Sequence, residues 1–304
     1  MERTVTDIHI KKSDPESSII YPGPRRPLLD EMNLIRKLLA AAEQIDRDDF
    51  MLQEGAQYWR GRRDKHAVDG TWYRLRCMAE HTPTLDTLPS PIPEPVKSIL
   101  LSSACNRGGL IHIAGKPGTG KTTTASALVV SRLLKHGGVA YTIEDPPEMP
   151  LNGWHGNGYC SQTWVAGEGT ADWMESMRGA LRSQPVGTNL IMFIGEVRDP
   201  DTAKAILRAA ANGFLVITTG FGTDLISAID TLFQLISRDY AASLAAVLYA
   251  VLYLQLDKGR IGVQVLRSDG PASTVGTIIR SGVLASLQNE IMYQRNQLIK
   301  AMAA

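Results

Sequence analysis

The chain has 304 residues, of which 44% are apolar and 21% are charged, with a formal net charge of +1. This is an ordinary globular composition, and the length allows one large domain or two modest ones. The near-neutral charge argues against a nucleic-acid partner. Three cysteines without a C-x-x-C pair argue against a structural zinc site and are typical of a reducing cytoplasm.

The first part of the chain is predicted to form a small α+β domain. The predicted elements are strands 6–10 and 18–21, an amphipathic helix 28–45 with Leu28, Met32, Ile35, Leu39 and Ala42 on one face, and a strand 71–78. Residues 50–70 are polar and basic. Five prolines between Pro83 and Pro95 predict an irregular linker, because this density prevents regular structure. We therefore expect two domains, residues 1–88 and 89–304.

The second part alternates strands with helices. The predicted strands are 110–114, 139–143, 190–194 and 214–219, and the predicted helices are 121–135, 171–182, 202–211 and 225–236. Asp199 and Pro200 are typical of a helix start. The alternation predicts a mainly parallel sheet covered by helices on both faces. The apolar segment 240–256 is shorter than a membrane span needs, so we predict a buried helix that runs into a core strand. That strand begins a hairpin, 252–266, which turns at Lys258-Gly259.

A phosphate-binding loop lies between the first of these strands and the helix that follows it. The motif G-x-x-x-x-G-K-[ST] and the residue after it give the predicted nucleotide-binding residues, which are Gly115, Lys116, Pro117, Gly118, Thr119, Gly120, Lys121, Thr122 and Thr123. The glycines let backbone N–H groups surround phosphate oxygens at a helix N-terminus. We expect Lys121 to contact the β- and γ-phosphates, and Thr122 to ligate Mg²⁺.

Two acidic residues follow other apolar strands and are candidates for catalysis. Glu196 comes after the strand 190–194, as the acid of a Walker B strand does, and is predicted to hold the magnesium shell or position water. Glu144 ends the strand 139–143 and is our choice of general base. A solvated turn at Asp145-Pro146 is an equally good interpretation of the stretch that contains Glu144. The two acids can also exchange roles.

The order of these motifs resembles the PilT-like branch of the secretion ATPase family. The P-loop is followed by Glu144-Asp145-Pro146 and then by Gly195-Glu196-Val197-Arg198-Asp199. The resemblance is specific over residues 115–219. It is looser outside that range, where the strand 6–10 resembles the one that opens the family's N-terminal domain.

The resemblance implies an α/β fold, with a RecA-like P-loop ATPase domain preceded by a small α+β PAS-like N-terminal domain. It implies an ATPase that uses ATP and Mg²⁺, located in the cytoplasm and peripherally at the inner membrane. The expected partners are identical subunits in a hexameric ring and an inner-membrane platform protein, with no nucleic acid. The machine powered would be a retracting type IV pilus, a conjugative transfer apparatus or a type IVB secretion system.

Arginines of the N-terminal domain approach the γ-phosphate in this family. Arg74 and Arg76 match such a strand and are the arginine-finger candidates, although solvated strand arginines are an equally good interpretation. This domain is short, and we expect fewer strands than a complete family domain has.

One motif departs from the family pattern. The family's histidine box places two histidines beside the nucleotide, whereas this chain has Phe214 and Phe221 at those positions. The departure supports an alternative function, a nucleotide-binding regulatory or structural ring subunit with little intrinsic ATPase activity. His9 and His112, which lie within apolar strands, are expected to be packed rather than functional.

Overall fold

The computed structural model describes residues 5–165, 170–197, 199–257 and 259–303. Contacts divide the chain into two units. The first unit contains residues 1–81 and 148–150, and the second contains residues 82–147 and 151–304.

The first unit is an antiparallel sheet with one helix against it. Its elements are β1 (Asp7–Lys11), β2 (Ile19–Tyr21), α1 (Met32–Glu43), β3 (Asp49–Glu54), β4 (Gln57–His66) and β5 (Gly70–Cys77). The strand order is β2-β1-β5-β4-β3. Successive side chains of a strand point to opposite faces, and Ile8, Ile10 and Leu75 lie on the buried one. Ile35 and Leu38 of α1 complete this core.

Two strands of this sheet, β3 and β4, were not predicted. On β4 the buried positions include Gly61, which looks polar in a sequence pattern. A Cβ at Gly61 would lie only 2.2 Å from Cε2 of Phe50, so the Phe50 ring fills the space that a side chain would take. The arginines of β4 made the alternation of buried and exposed residues harder to recognise in the sequence.

Helix α1 begins at Met32, not at the predicted residue 28. The Glu31 carboxylate accepts the Leu28 N–H at 2.8 Å and two hydrogen bonds from the Arg25 guanidinium at 2.7 and 2.5 Å. These bonds hold the preceding residues in a turn. Leu28, predicted on the apolar face, is consequently exposed, and Leu29 is 96% exposed.

The second unit contains an eight-stranded sheet with the order β13-β12-β6-β11-β10-β7-β9-β8. The strands are β6 (Gly109–Gly115), β7 (Gly138–Glu144), β8 (Gly153–His155), β9 (Gly158–Trp164), β10 (Leu190–Ile194), β11 (Phe214–Gly220), β12 (Leu248–Asp257) and β13 (Arg260–Arg267). The six inner strands are parallel, and β8 and β13 pair antiparallel at the two edges. The predicted mainly parallel sheet is confirmed.

Helices cover both faces of this sheet, as predicted. They are α2 (Glu94–Leu100), α3 (Lys121–His136), α4 (Thr170–Arg182), α5 (Pro200–Ala211), α6 (Leu225–Ile236), α7 (Ala241–Val247), α8 (Thr274–Ser281) and α9 (Leu287–Ala303). One face packs against α4 to α8, and the opposite face packs against α2 and α3. Within β6, Leu110 and Ala114 point into the first layer, and Ile111 and Ile113 point into the second.

Several local predictions are confirmed. The Asp199 carboxylate caps α5 by accepting the N–H groups of Asp201 and Thr202 at 3.0 and 2.9 Å. The apolar segment 240–256 is helix α7 followed by the buried strand β12. Among the described helices, none is long and apolar enough to cross a membrane. The predicted turn residue Lys258 lies outside the described residues.

The proline-rich segment is irregular until α2 begins at Glu94, with Pro95 in the first helical turn, where no N–H is needed. Arg132 of the P-loop helix α3 holds the end of α2. Its guanidinium donates to the carbonyls of Leu100 and Ser102 at 2.7 and 3.1 Å and to the Asn106 side chain. Arg132 is 2% exposed, and it satisfies carbonyls that a helix C-terminus leaves without partners.

Two further side chains of α3 hold the same segment. The Ser131 hydroxyl accepts the N–H of Leu85 at 2.8 Å, and the His136 Nε2 bonds to the carbonyl oxygen of Leu101 at 2.9 Å. Residues within the proline-rich stretch and after it are thus attached to the helix that follows the P-loop.

We predict that Arg132→Ala strongly destabilises the protein. The change leaves a cavity and removes the donor for one buried and two partly buried acceptors, which together cost roughly 3–5 kcal/mol. The free energy of unfolding from urea denaturation measures the effect. Lys135→Ala on the exposed side of the same helix is the control and should lie within about 0.5 kcal/mol of the parent. Equal stability of both variants would show that Arg132 does not secure this segment.

Candidate functional site

The P-loop connects β6 directly to α3 through a tight turn. Gly118 and Gly120 have φ angles of 79° and 80°, which favour glycine over other residues. A Cβ at Gly115 would lie 2.6 Å from both the Leu254 carbonyl oxygen and the Thr119 hydroxyl. Glycine at these positions therefore lets the loop close tightly over the end of the sheet.

Hydrogen bonds within the loop gather around the carbonyl oxygen of Lys116. The Thr119 N–H and hydroxyl donate to it at 3.3 and 2.8 Å, and the Lys121 ammonium donates at 3.1 Å. The ammonium is thereby folded back over the loop. Lys121, Thr122 and Thr123 form the first turn of α3, where backbone N–H groups have no partner within the helix. This combination suits an anionic ligand at the loop.

Lys116, Pro117 and Gly118 form the exposed part of the loop, and Thr119 is buried beneath it. All nine predicted nucleotide-binding residues thus belong to one continuous strand–loop–helix segment. Their contact with nucleotide remains a prediction.

The strands beside β6 bring the acidic candidates to the same edge of the sheet. β6 pairs with β11, β11 with β10, and β10 with β7, all in parallel. The register aligns Gly220 with Ala114, and Ile194 with both Thr218 and Ile143. The carboxyl ends of parallel strands meet at one edge, so the P-loop and both acids lie on the same side of the sheet.

Glu144 is the last residue of β7 and is only 1% exposed. The side-chain amide of Gln162, on β9, donates to its carboxylate at 2.9 Å. Gly195 lies against it, since a Cβ there would be 3.6 Å from the Cγ of Glu144. A buried carboxylate with a hydrogen-bond donor is not the solvated acid of a surface turn. Sequence reasoning did not select Gln162, because β9 was not predicted.

Glu196 follows β10 and is partly exposed. The backbone on either side of it is bonded to both neighbouring strands. The Gly195 N–H donates to Ile143 O at 3.2 Å, and the Val197 N–H donates to Thr219 O at 3.3 Å. The Thr219 hydroxyl also donates to Gly195 O. These bonds fix the position of Glu196 between the ends of β7 and β11. Arg198 of this motif lies outside the described residues.

The residues at this edge include oxygen ligands of the kind that Mg²⁺ binds. Mg²⁺ usually takes one or two protein oxygens, with phosphates and water completing its shell. The Thr122 hydroxyl and the Glu196 carboxylate are of this chemical type. Among the described residues no group of three or more metal-binding His, Cys, Asp or Glu side chains occurs. The donor set therefore fits a magnesium ion held mainly by a nucleotide.

The two histidine-box positions lie far apart. Phe214 begins β11 and is fully buried in the core, whereas Phe221 follows the other end of the strand and is 50% exposed. A strand rises about 3.3 Å per residue, so the two positions are separated by roughly 20 Å. The expectation that both lie beside the nucleotide is therefore wrong for Phe214. Only Phe221 lies at the edge that carries the P-loop.

A histidine lies in the sheet itself. His112 of β6 is buried, and its Nδ1 is 2.8 Å from the hydroxyl of Thr218. Gly220 leaves room for the ring, because a Cβ there would lie 2.6 Å from the His112 Cε1. Burial lowers the pKa of His112 from 6.5 to about 4. The imidazole is therefore neutral at physiological pH and acts as a packed, hydrogen-bonded group, as expected.

The arginine-finger candidates belong to the first unit and form ion pairs there. The Arg74 guanidinium lies 3.2 Å from the Asp64 carboxylate, and Arg76 lies 2.8 Å from Asp7. Both side chains are half-exposed. Surface pairs of this kind contribute at most about 1 kcal/mol, so they do not prevent either arginine from taking another anion.

We predict a pH-dependent stability from His112. The folded-state pKa, about 4, lies below the usual 6.5, so the unfolded chain binds more protons between these values. The stabilisation that the neutral His112 contributes is complete above pH 6.5 and is lost as the pH falls from 6.5 to about 4. From about pH 7 to about pH 5, the free energy of unfolding should fall about 2 kcal/mol more in the parent than in His112→Gln. Denaturant titrations at both pH values measure this difference, and an equal fall in both proteins would contradict the assignment.

The family model "Type II/IV secretion system protein" matches residues 67–259, which is more than half of the chain. Uncharacterized protein YggR of Escherichia coli is 30% identical over 233 residues, covering 71% of this chain and 64% of that protein. The type IV pilus retraction ATPase PilT of Pseudomonas aeruginosa is 29% identical over 195 residues, covering 60% and 53%. The matched part of the chain thus spans less than two thirds of these relatives' own length.

Two solved ATPase structures have a fold similar to that of this chain. The pilus retraction motor PilT with bound ADP superposes with a TM-score of 0.75 at 21% identity, covering 96% of this chain and 87% of that one. The ATPase DotB of Legionella pneumophila superposes with a TM-score of 0.64 at 18% identity, covering 97% and 84%. The fold is therefore the mixed α/β fold of these ATPases. The chain belongs to the type II/IV secretion system protein family, and within that family it is similar to PilT.

Proposed function

We propose that this chain hydrolyses ATP with Mg²⁺ and serves as a motor subunit of a type IV pilus, conjugation or type IVB secretion machine. The observation that carries the proposal is the meeting of a P-loop and two acidic residues at one edge of a parallel sheet. In this proposal the second unit is a RecA-like P-loop ATPase domain, and the first unit is a PAS-like domain.

The P-loop segment binds the phosphates. Backbone N–H groups of the loop and of the first turn of α3 surround the phosphate oxygens, and the helix N-terminus adds partial positive charge. The Lys121 ammonium leaves the Lys116 carbonyl and contacts the β- and γ-phosphates. The Thr122 hydroxyl and the Glu196 carboxylate would hold Mg²⁺, which would neutralise part of the phosphate charge.

Glu144 is our choice of general base. The oxygen of a water molecule attacks the γ-phosphorus, the bond to the β,γ-bridging oxygen breaks, and the water proton passes to Glu144 while ADP and phosphate leave. Its burial beside Gly195 and the donor from Gln162 support this role over that of a solvated acid. Glu196, at the end of β10, is the candidate for positioning water and for the magnesium shell, and the two acids can exchange roles.

The assembly is proposed from the relatives. PilT is a type IV pilus retraction ATPase, and DotB is an ATPase with the same fold. We propose a homo-oligomeric, hexameric ring at the cytoplasmic face of the inner membrane that acts on a platform protein, without a nucleic-acid partner. Arg74 and Arg76 remain the candidates for supplying positive charge to the γ-phosphate.

We predict that Lys121→Ala abolishes hydrolysis. The ammonium opposes charge that develops in the transition state, and losing such a contact costs about 3 kcal/mol or more, or a factor of at least about 10² in rate. Phosphate release at saturating Mg-ATP measures the loss. Lys135→Ala, at the exposed far end of the same helix, is the control and should retain the parental rate. Parental turnover of Lys121→Ala would exclude the P-loop from catalysis.

Phe221 favours the alternative function, a nucleotide-binding ring subunit with slow intrinsic turnover. Phe221 occupies a position at which the family has a histidine, and phenylalanine has no hydrogen-bonding group. We predict that Phe221→His raises phosphate release by a factor of about 10 or more, at unchanged nucleotide affinity, because a hydrogen-bonding group at a catalytic edge contributes about 2.7–4 kcal/mol when well placed.

The control for that experiment is Phe214→His, which places an imidazole in the apolar core about 20 Å away and should lower stability without raising the rate. If the parent protein already releases phosphate quickly and Phe221→His does not change that rate, the alternative of a ring subunit with slow turnover loses its support.

A further inference from the structure

Gln162 lies between the proposed general base, Glu144, and the loop residues 151–152, which precede β8. It lies on β9, next to β7, with its Cα opposite Thr142. Its side-chain oxygen accepts the backbone N–H of Leu151 at 3.1 Å, and its side-chain nitrogen donates to the Glu144 carboxylate at 2.9 Å. One amide therefore connects the backbone of the loop to the carboxylate.

The loop contact determines which end of the amide faces Glu144. A backbone N–H can only donate, so the side-chain oxygen of Gln162 must face Leu151. The NH₂ group then faces the carboxylate, which in its charged form can only accept. A second bond, from the Gln162 N–H to the Asn152 side chain at 3.2 Å, holds the backbone of β9 to the same loop. The amide is thus oriented before any substrate binds.

We propose that Gln162 is a positioning residue that holds the Glu144 carboxylate in the orientation needed to take a proton from the attacking water. This inference rests on the proposed ATP hydrolysis with Glu144 as base. A general base acts only within hydrogen-bond reach of the proton that it removes, and a carboxylate rotated or displaced by about 1 Å loses a factor of up to about 10² in rate. Burial alone does not fix the rotation of the carboxylate about its last torsion, which has broad energy wells.

The decisive variant is Gln162→Met, which keeps a side chain of similar length and has no N–H to donate. We expect kcat for ATP hydrolysis to fall by a factor of about 10 to 100, with KM and nucleotide affinity unchanged, because the P-loop is untouched. Asn152→Ala is the matched control. It removes a second bond between β9 and the loop and should leave kcat at the parental value. Gln162→Leu is made in parallel, and both Gln162 variants are checked for folding by thermal unfolding.

A double-mutant cycle separates positioning from a merely structural role. If Gln162 acts through the Glu144 carboxylate, Gln162→Met should cause no further loss in a Glu144→Gln background. Single-turnover rates with excess enzyme make the slow variants measurable. Three results would overturn this inference while leaving the proposed ATP hydrolysis intact. They are an equal loss of rate in both backgrounds, a parental kcat in Gln162→Met, and the same loss of kcat in Asn152→Ala. A parent chain that does not hydrolyse Mg-ATP would overturn the proposed function and the inference with it.

Discussion

The parallel pairing of β6, β11, β10 and β7 is the constraint on which the candidate site depends. Parallel strands end at the same edge, so the strand pairing itself brings residues that are far apart in sequence to one side of the sheet. The central strand β11 has a second role. Its Thr219 bonds to both sides of Glu196, through the Gly195 carbonyl and the Val197 N–H. The sheet thus fixes the backbone at the site as well as the positions of the strands.

The same sheet explains how this chain tolerates its departures from the family pattern. Phe214 packs into the apolar core, where a histidine would have needed a partner. One strand away, His112 places a neutral imidazole against the Thr218 hydroxyl, in space that Gly220 leaves open. Phe214 thus belongs to the apolar core, and the buried histidine of this sheet lies on the neighbouring strand β6.

Sequence patterns predicted most of the second unit, because its buried strands and amphipathic helices are locally consistent. The cap at Asp199 and the tight loop at Gly118 and Gly120 depend only on neighbouring residues, so they too could be predicted. The missed elements depend on distant partners. Strand β4 has a glycine where the Phe50 ring fills the core, and β9 carries Gln162, whose role depends on a loop and on β7. The hydrophobic periodicity of one segment contains no information about partners that are distant in the sequence.

The central claim is that this edge of the sheet hydrolyses ATP with Glu144 as the base. The most direct test measures Mg-ATP affinity and phosphate release separately in the parent and in Glu144→Gln, which keeps the size of the side chain and removes its ability to take a proton. We expect unchanged affinity for Mg-ATP and a loss of phosphate release by a factor of about 10² or more. Parental release in Glu144→Gln, or a loss explained entirely by weaker ATP binding, would contradict it.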